Sequence, residues 1–89
     1  MNNVNGAEIE ALRAFAHQMD QRAAEMRTRI NRITSRLEHV HWVGPDRERF
    51  VHEWTSSHLP SLTGMLHELT DTATKARQHA DAQARASHA

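Results

Sequence analysis

Apolar side chains recur at every third and fourth residue through the first half of the chain. Ile9, Ala16, Ala23, Ile30 and Leu37 form one row spaced by seven; Leu12, Met19, Met26, Ile33 and Val40 form a second, interleaved with it. Neither Pro nor Gly interrupts the span. Alternating steps of three and four bring both rows onto one stripe of an α-helix, which then presents a narrow seam to other helices. A strand would need a period of two, and none is present. The spacing predicts a first helix over about residues 7–41, roughly 50 Å long at about 1.5 Å per residue.

The second half follows the same logic less regularly. Leu62, Leu66, Leu69, Ala73, Ala76 and Ala80 step by four and three. Upstream, Phe50 and Trp54 make an i, i+4 pair, but reaching Leu62 from them takes steps of four, so the seam drifts around the helix. Pro60 lies in that stretch, where a helix-interior proline removes one backbone hydrogen bond and presses on the preceding turn. A second helix over about 45–86 is expected, with a kink or brief break near Ser57–Leu59. The Ala-rich tail beyond Ala80 has little to bury and is expected to fray, as is the turn-forming stretch Met1–Gly6.

Between the helices stands His41-Trp42-Val43-Gly44-Pro45-Asp46. Glycine takes the left-handed conformation that ends a helix, and proline suits the first position of the next one. Asp46 and Glu48 then sit against the positive end of that second helix. A tight turn between long helices makes them antiparallel neighbours. The fold class expected is therefore all-α: one antiparallel helix-turn-helix hairpin, with its turn at residues 42–44.

A chain of 89 residues buries a small share of its surface, so an oligomer is the default expectation. Ile9, Leu12, Met19, Met26, Ile30, Ile33, Leu37, Phe50, Trp54, Leu62, Leu66 and Leu69 are the candidate core, within and between subunits. Acid-before-base pairs four apart, Glu25–Arg29, Asp71–Lys75 and Asp81–Arg85, support helicity and say nothing of function.

Charge and composition remove whole classes of function. Eleven basic groups balance eleven acidic ones, divided almost evenly between the two halves, so no field draws in nucleic acid. Arg22, Arg29 and Arg36 flank the seam of the first helix at spacings of seven. Aromatic stacking residues are missing around them, so an ion-pair face that sets pairing, with Glu68 or Asp81 as partners, is the better reading than RNA binding. Without cysteine there is no disulfide, thiolate zinc site or Cys nucleophile. Eight histidines invite a metal, yet His39-x-His41 does not face one way and His67-Glu68 continues as Leu-Thr-Asp, without a second ligand. A pH effect on pairing is chemically reasonable. No cofactor, metal or catalytic group is expected, and the chain reads as a non-enzyme. The N-terminus has no basic, apolar signal-peptide pattern, and no stretch approaches the roughly 20 apolar residues that span a bilayer.

With Trp42-Val43-Gly44 at the hairpin turn, followed by Pro45-Asp46-Arg47-Glu48-Arg49-Phe50 and Trp54, the chain resembles the WXG family of small type VII (ESX-type) secretion substrates, the early secreted antigenic target-like proteins. The likeness covers nearly the whole chain: length, helix layout, motif position, and the lack of cysteine and signal peptide. It implies a four-helix-bundle dimer, with itself or with a sibling WXG-like protein, recognised by a secretion ATPase and exported from the cytoplasm without a cleaved signal, with no membrane insertion. Trp42 and Gly44 would form the recognition turn. In the family a C-terminal Tyr-x-x-x-Asp/Glu completes the export signal; this chain has no Tyr, and His79 and Gln83 stand at about that place. Two roles follow: secretion substrate or co-substrate, or a retained, chaperone-like adaptor docking a larger secreted partner. Trp42 has two readings as well, a partner anchor or a plug for the open end of the hairpin. Met19 and Met26 read as ordinary seam filler more readily than as adaptable contacts.

Overall fold

A computed structural model describes residues 6–88, and helices hold 94% of them with no strand. Helix α1 runs Gly6–His39, α2 runs Pro45–Glu53, and α3 runs Leu59–His88. A π-helical segment, Trp54–His58, joins α2 to α3 without a break, so the chain is a hairpin of two long arms. Its extents are 68 × 17 × 12 Å. The radius of gyration is 19.8 Å, against about 12 Å for a compact domain of this length. The smallest extent is one helix diameter. No second layer covers either broad face.

The arms meet along the first of the two heptad rows. Ile9, Ala16, Ala23 and Ile30 of α1 are buried, opposed by Leu66, Ala73 and Ala80 of α3. Four of these seven are alanines, all at 0 or 1% exposure, so most of the contact is close approach of backbones rather than interdigitation of large side chains. Leu66, 2% exposed, packs with Ala23 and Ile30, and Trp54, Leu59, Leu62 and Leu69 close over them.

The drift foreseen around Pro60 takes the form of a π-turn. The less exposed residues of the second arm are Val51, Trp54, Leu59, Leu62, Leu66, Leu69 and Ala73, in steps of three, five, three, four, three and four. The single step of five coincides with the π segment, where Leu59 N–H donates to the Trp54 carbonyl. Such a turn accommodates one extra residue and restores the phase of the helix. Pro60, second in α3, has no N–H to contribute there. Val51 therefore joins Trp54 on the inner side, and Phe50 turns outward, 40% exposed. The indole Nε1 of Trp54 donates to Thr34 Oγ1 at 2.9 Å, and that hydroxyl donates to the Ile30 carbonyl at 3.0 Å.

Helix α1 ends two residues before the expected boundary. Its last backbone bond runs from Val40 N to Arg36 O (2.8 Å), and Arg47 Nη2 reaches back to the Leu37 carbonyl at 3.3 Å. That side chain satisfies one of the carbonyls that a helix C-terminus leaves open. At the other end α3 continues through the Ala-rich tail to His88. Of the N-terminal stretch expected to be soft, Met1–Asn5 lies outside the described residues, and Gly6 begins α1.

Candidate functional site

The two broad faces of the hairpin differ in chemistry. Residues one step past the buried row of α1 (Arg13, Asp20, Thr34) turn to one face, and Arg77 of α3 turns to the same one. This face is polar and bonded across the arms: Arg77 Nη1 to Asp20 Oδ2 at 2.6 Å, Arg13 Nη2 to Asp81 Oδ1 at 3.1 Å, and the Trp54–Thr34 bond. The ion pairs are roughly half exposed and worth little in stability, but they fix which way the arms face each other.

The second heptad row lies about 60° to the other side of the buried row, by helix geometry. Leu12 and Met19 are half-buried, while Met26 (38%), Ile33 (46%) and Val40 (49%) are exposed. The second arm adds the half-buried Leu62, Leu69 and Ala76 and the exposed Met65 to this face. The result is an apolar stripe along one side of a body one helix thick. Monomeric proteins rarely leave so continuous a patch in water, and such patches mark interaction surfaces.

The expected core thus divides in three. Ile9, Ile30 and Leu66 are buried between the arms; Leu12, Met19, Leu37, Trp54, Leu62 and Leu69 are half-buried; Met26, Ile33 and Phe50 are exposed in the single hairpin. Missing from that expected core are Ala16, Ala23, Ala73 and Ala80, the most deeply buried side chains of all. Small size hid them, although their heptad spacing in both halves is the signal that finds them. The charge pairs also rearrange. Glu25 pairs with Arg22 rather than Arg29, Asp81 with Arg13 rather than Arg85, and no ion pair joins Asp71 to Lys75. Arg29 and Arg36 meet neither Glu68 nor Asp81.

The turn holds the Trp-x-Gly triplet open to solvent. Trp42 N–H closes a three-residue turn on the Val40 carbonyl at 2.9 Å, and its ring, 42% exposed, tilts at 44° to Phe50 with centroids 6.2 Å apart. It is neither buried as a plug nor free of contact. Around it Val40, His41, Val43, Gly44, Arg47 and Glu48 line a shallow hollow of about 290 Å³. That is below the size and enclosure of typical small-molecule sites.

Gly44 does not end α1, contrary to the sequence expectation; it is the N-cap of α2, with φ 129° and ψ 174°. Only glycine occupies this region at low cost. A Cβ there would meet nothing within 4 Å, so the requirement lies wholly in the backbone. Gly44→Ala should destabilise the hairpin by about 1–3 kcal/mol, read as a lower thermal midpoint. D-Ala at the same position, placed by chemical ligation, should be tolerated because the mirror-image residue favours that conformation. Equal loss from both isomers would mean that space, not backbone conformation, governs the site.

On α3, Gln83 Nε2 donates to His79 Nε2 at 2.9 Å, so these two residues occupy each other. Gln83 Oε1 is buried without a partner. Among the described residues no group of three or more His, Asp or Glu side chains could hold a metal, and no helix is long and apolar enough to cross a membrane. Compared with known proteins, the chain matches no protein-family model, no curated protein and no solved structure.

Proposed function

We propose that this hairpin is a binding protein that pairs through its apolar face into a four-helix bundle and serves as substrate or co-substrate of a type VII secretion system. One observation carries the pairing: an apolar stripe, Met26, Ile33, Val40 and Met65 among its exposed members, on a body 12 Å thick. Domains bury apolar faces by stacking two layers, and a second hairpin supplies the missing one. The secretion role rests on the Trp42-Val43-Gly44 turn and its place between two long helices. The retained-adaptor reading keeps one specific point in its favour, the absence of any Tyr from the tail.

Ile33→Asp separates pairing from mere exposure. A carboxylate buried without a partner in an interface costs several kcal/mol, so association should fall by about two orders of magnitude or more. Light scattering over a concentration series should show the mass of the wild type rising above one hairpin while the variant stays at one, with helicity retained. Identical curves would remove the pairing reading. Deleting the secretion ATPase should abolish extracellular appearance of the protein; unchanged export would eliminate the substrate reading, and strictly intracellular protein in both strains would favour the adaptor.

A further inference from the structure

We propose that the turn end of the hairpin is a hinged flap: α2 and the Trp-x-Gly loop swing away from α1 about the π-turn while the alanine-packed arms stay closed, and the Trp54–Thr34 bond is the latch. The buried core stops short of the turn. Between Ile30 and Leu66 no residue is buried, and neither α2 nor the π segment contributes one. Segments with few buried contacts open at a lower free energy than the body they are attached to. Backbone bonding around the turn is local as well. Val40 N–H donates to the Arg36 carbonyl, Trp42 N–H to Val40 and Glu48 N–H to Gly44, and no backbone hydrogen bond joins α2 to α1. Two side-chain hydrogen bonds make that crossing: Arg47 Nη2 to the Leu37 carbonyl at 3.3 Å, and Trp54 Nε1 to Thr34 Oγ1 at 2.9 Å.

The indole bond is the shorter of the two and ends on the core. The Thr34 hydroxyl that accepts it donates in turn to the carbonyl of Ile30, a residue of the last buried layer of α1. Trp54 is also the residue at which the second arm changes its winding. Its own N–H is shared between the Phe50 and Val51 carbonyls, and its carbonyl accepts from Leu59 N–H. A shared bond passes from one acceptor to the other with little loss, so the arm bends there without giving up its hydrogen bonds, which makes the π-turn the hinge. At the far end of α2, the non-helical residues 40–44 let the chain follow. Opening turns the half-buried Leu37, Val51 and Trp54 to water, so the open form is the minor state and the latch sets its population. None of this requires a second chain.

Amide hydrogen exchange on the full chain, at one dilute concentration, reads the flap and the arms separately. Amides of residues 49–53 should exchange at least about tenfold faster than those of residues 69–80, since the first group opens without the second. Thr34→Val keeps the shape of the side chain and removes the acceptor. It should speed exchange at residues 49–53 by about fivefold more, the scale of one hydrogen bond, and leave residues 69–80 unchanged. Thr34→Ser retains the hydroxyl and should match wild type. In a Trp54→Phe background, which has already lost the donor, Thr34→Val should add nothing. Equal exchange of the two segments in wild type, or an equal acceleration of both by Thr34→Val, would mean that the hairpin opens only as a whole and would overturn the proposal. No acceleration anywhere would overturn it too, because the bond would then latch nothing.

Discussion

Replacing Leu66 by Ala should remove most of the stability of the hairpin. Among the described residues Leu66 is the one large side chain that is fully buried, at 2% exposure, and it fills the junction of Ala23 and Ile30 under the half-buried Trp54, Leu59, Leu62 and Leu69. Truncating a leucine in such a place costs about 2–5 kcal/mol, the transfer of the lost methyl groups plus the cavity they leave. Small domains hold only about 5 kcal/mol or slightly more in total. At about 4–8 °C per kcal/mol, the thermal midpoint should fall by roughly 10–30 °C. The measurement is far-ultraviolet circular dichroism at fixed protein concentration, since pairing adds concentration-dependent stability. Met65→Ala, one residue away and 56% exposed, is the control and should change stability by less than about 0.5 kcal/mol if the face is unpaired under those conditions. Equal effects from the two variants would show that Leu66 is not the centre of the core.

The second large effect has the opposite geometry. Ala73→Leu places three additional carbons at a position with 0% exposure, directly between the arms. By hydropathy alone this is an improvement, an apolar residue enlarged at a heptad core position. The structure predicts the reverse. The distance between packed helices follows the size of the side chains between them, and here alanines at 16, 23, 73 and 80 set it. A leucine in one layer must force the arms apart, opening the layers on both sides, at a cost at or above about 1–3 kcal/mol. The cross-arm bond between Asp20 and Arg77, four residues from Ala73, should lengthen with it. Denaturant unfolding of Ala73→Leu should give a lower midpoint than wild type, while Ala82→Leu, exposed on the same helix, should be near neutral. A stabilised Ala73→Leu would mean that the arms are held apart by something other than the alanine layers.

The alanine layers also mark the border of what the sequence makes legible. Two apolar rows on α1 announce a helix and a seam, and an uninterrupted run without Pro or Gly announces its length. They do not say which row faces the chain's own second arm and which faces outward. Both are apolar, and the decision rests on size. The first row carries Ala16 and Ala23, and the second arm carries Ala73 and Ala80 at the same spacing of seven, so small residues meet small residues when the chain folds back. The second row, with Met19, Met26 and Ile33, is too bulky for that approach and is left to the open face. Phe50 lies four residues before Trp54, and a regular helix would place it on the seam. The step of five between Trp54 and Leu59 was available in the sequence, but a π-turn follows from it only once Trp54 is seen to bond Thr34. Glycine at position 44 signals a special backbone conformation, but a Gly-Pro pair fits the end of one helix as well as the start of the next.

That π-turn has a consequence for how the molecule can vary. It behaves as a rotary joint, a one-residue insertion that the helix absorbs without losing its bonds. On one side, α3 packs against α1 through closely approaching alanine layers. On the other, α2 and the Trp-x-Gly loop form a tip whose azimuth follows the joint and is held against α1 by Arg47 on the Leu37 carbonyl and Trp54 on Thr34. Removing the extra residue would swing the tip by about 100° around the arm axis while leaving the alanine register untouched. The body is thus a shaft, and the joint sets the direction in which the head it carries points.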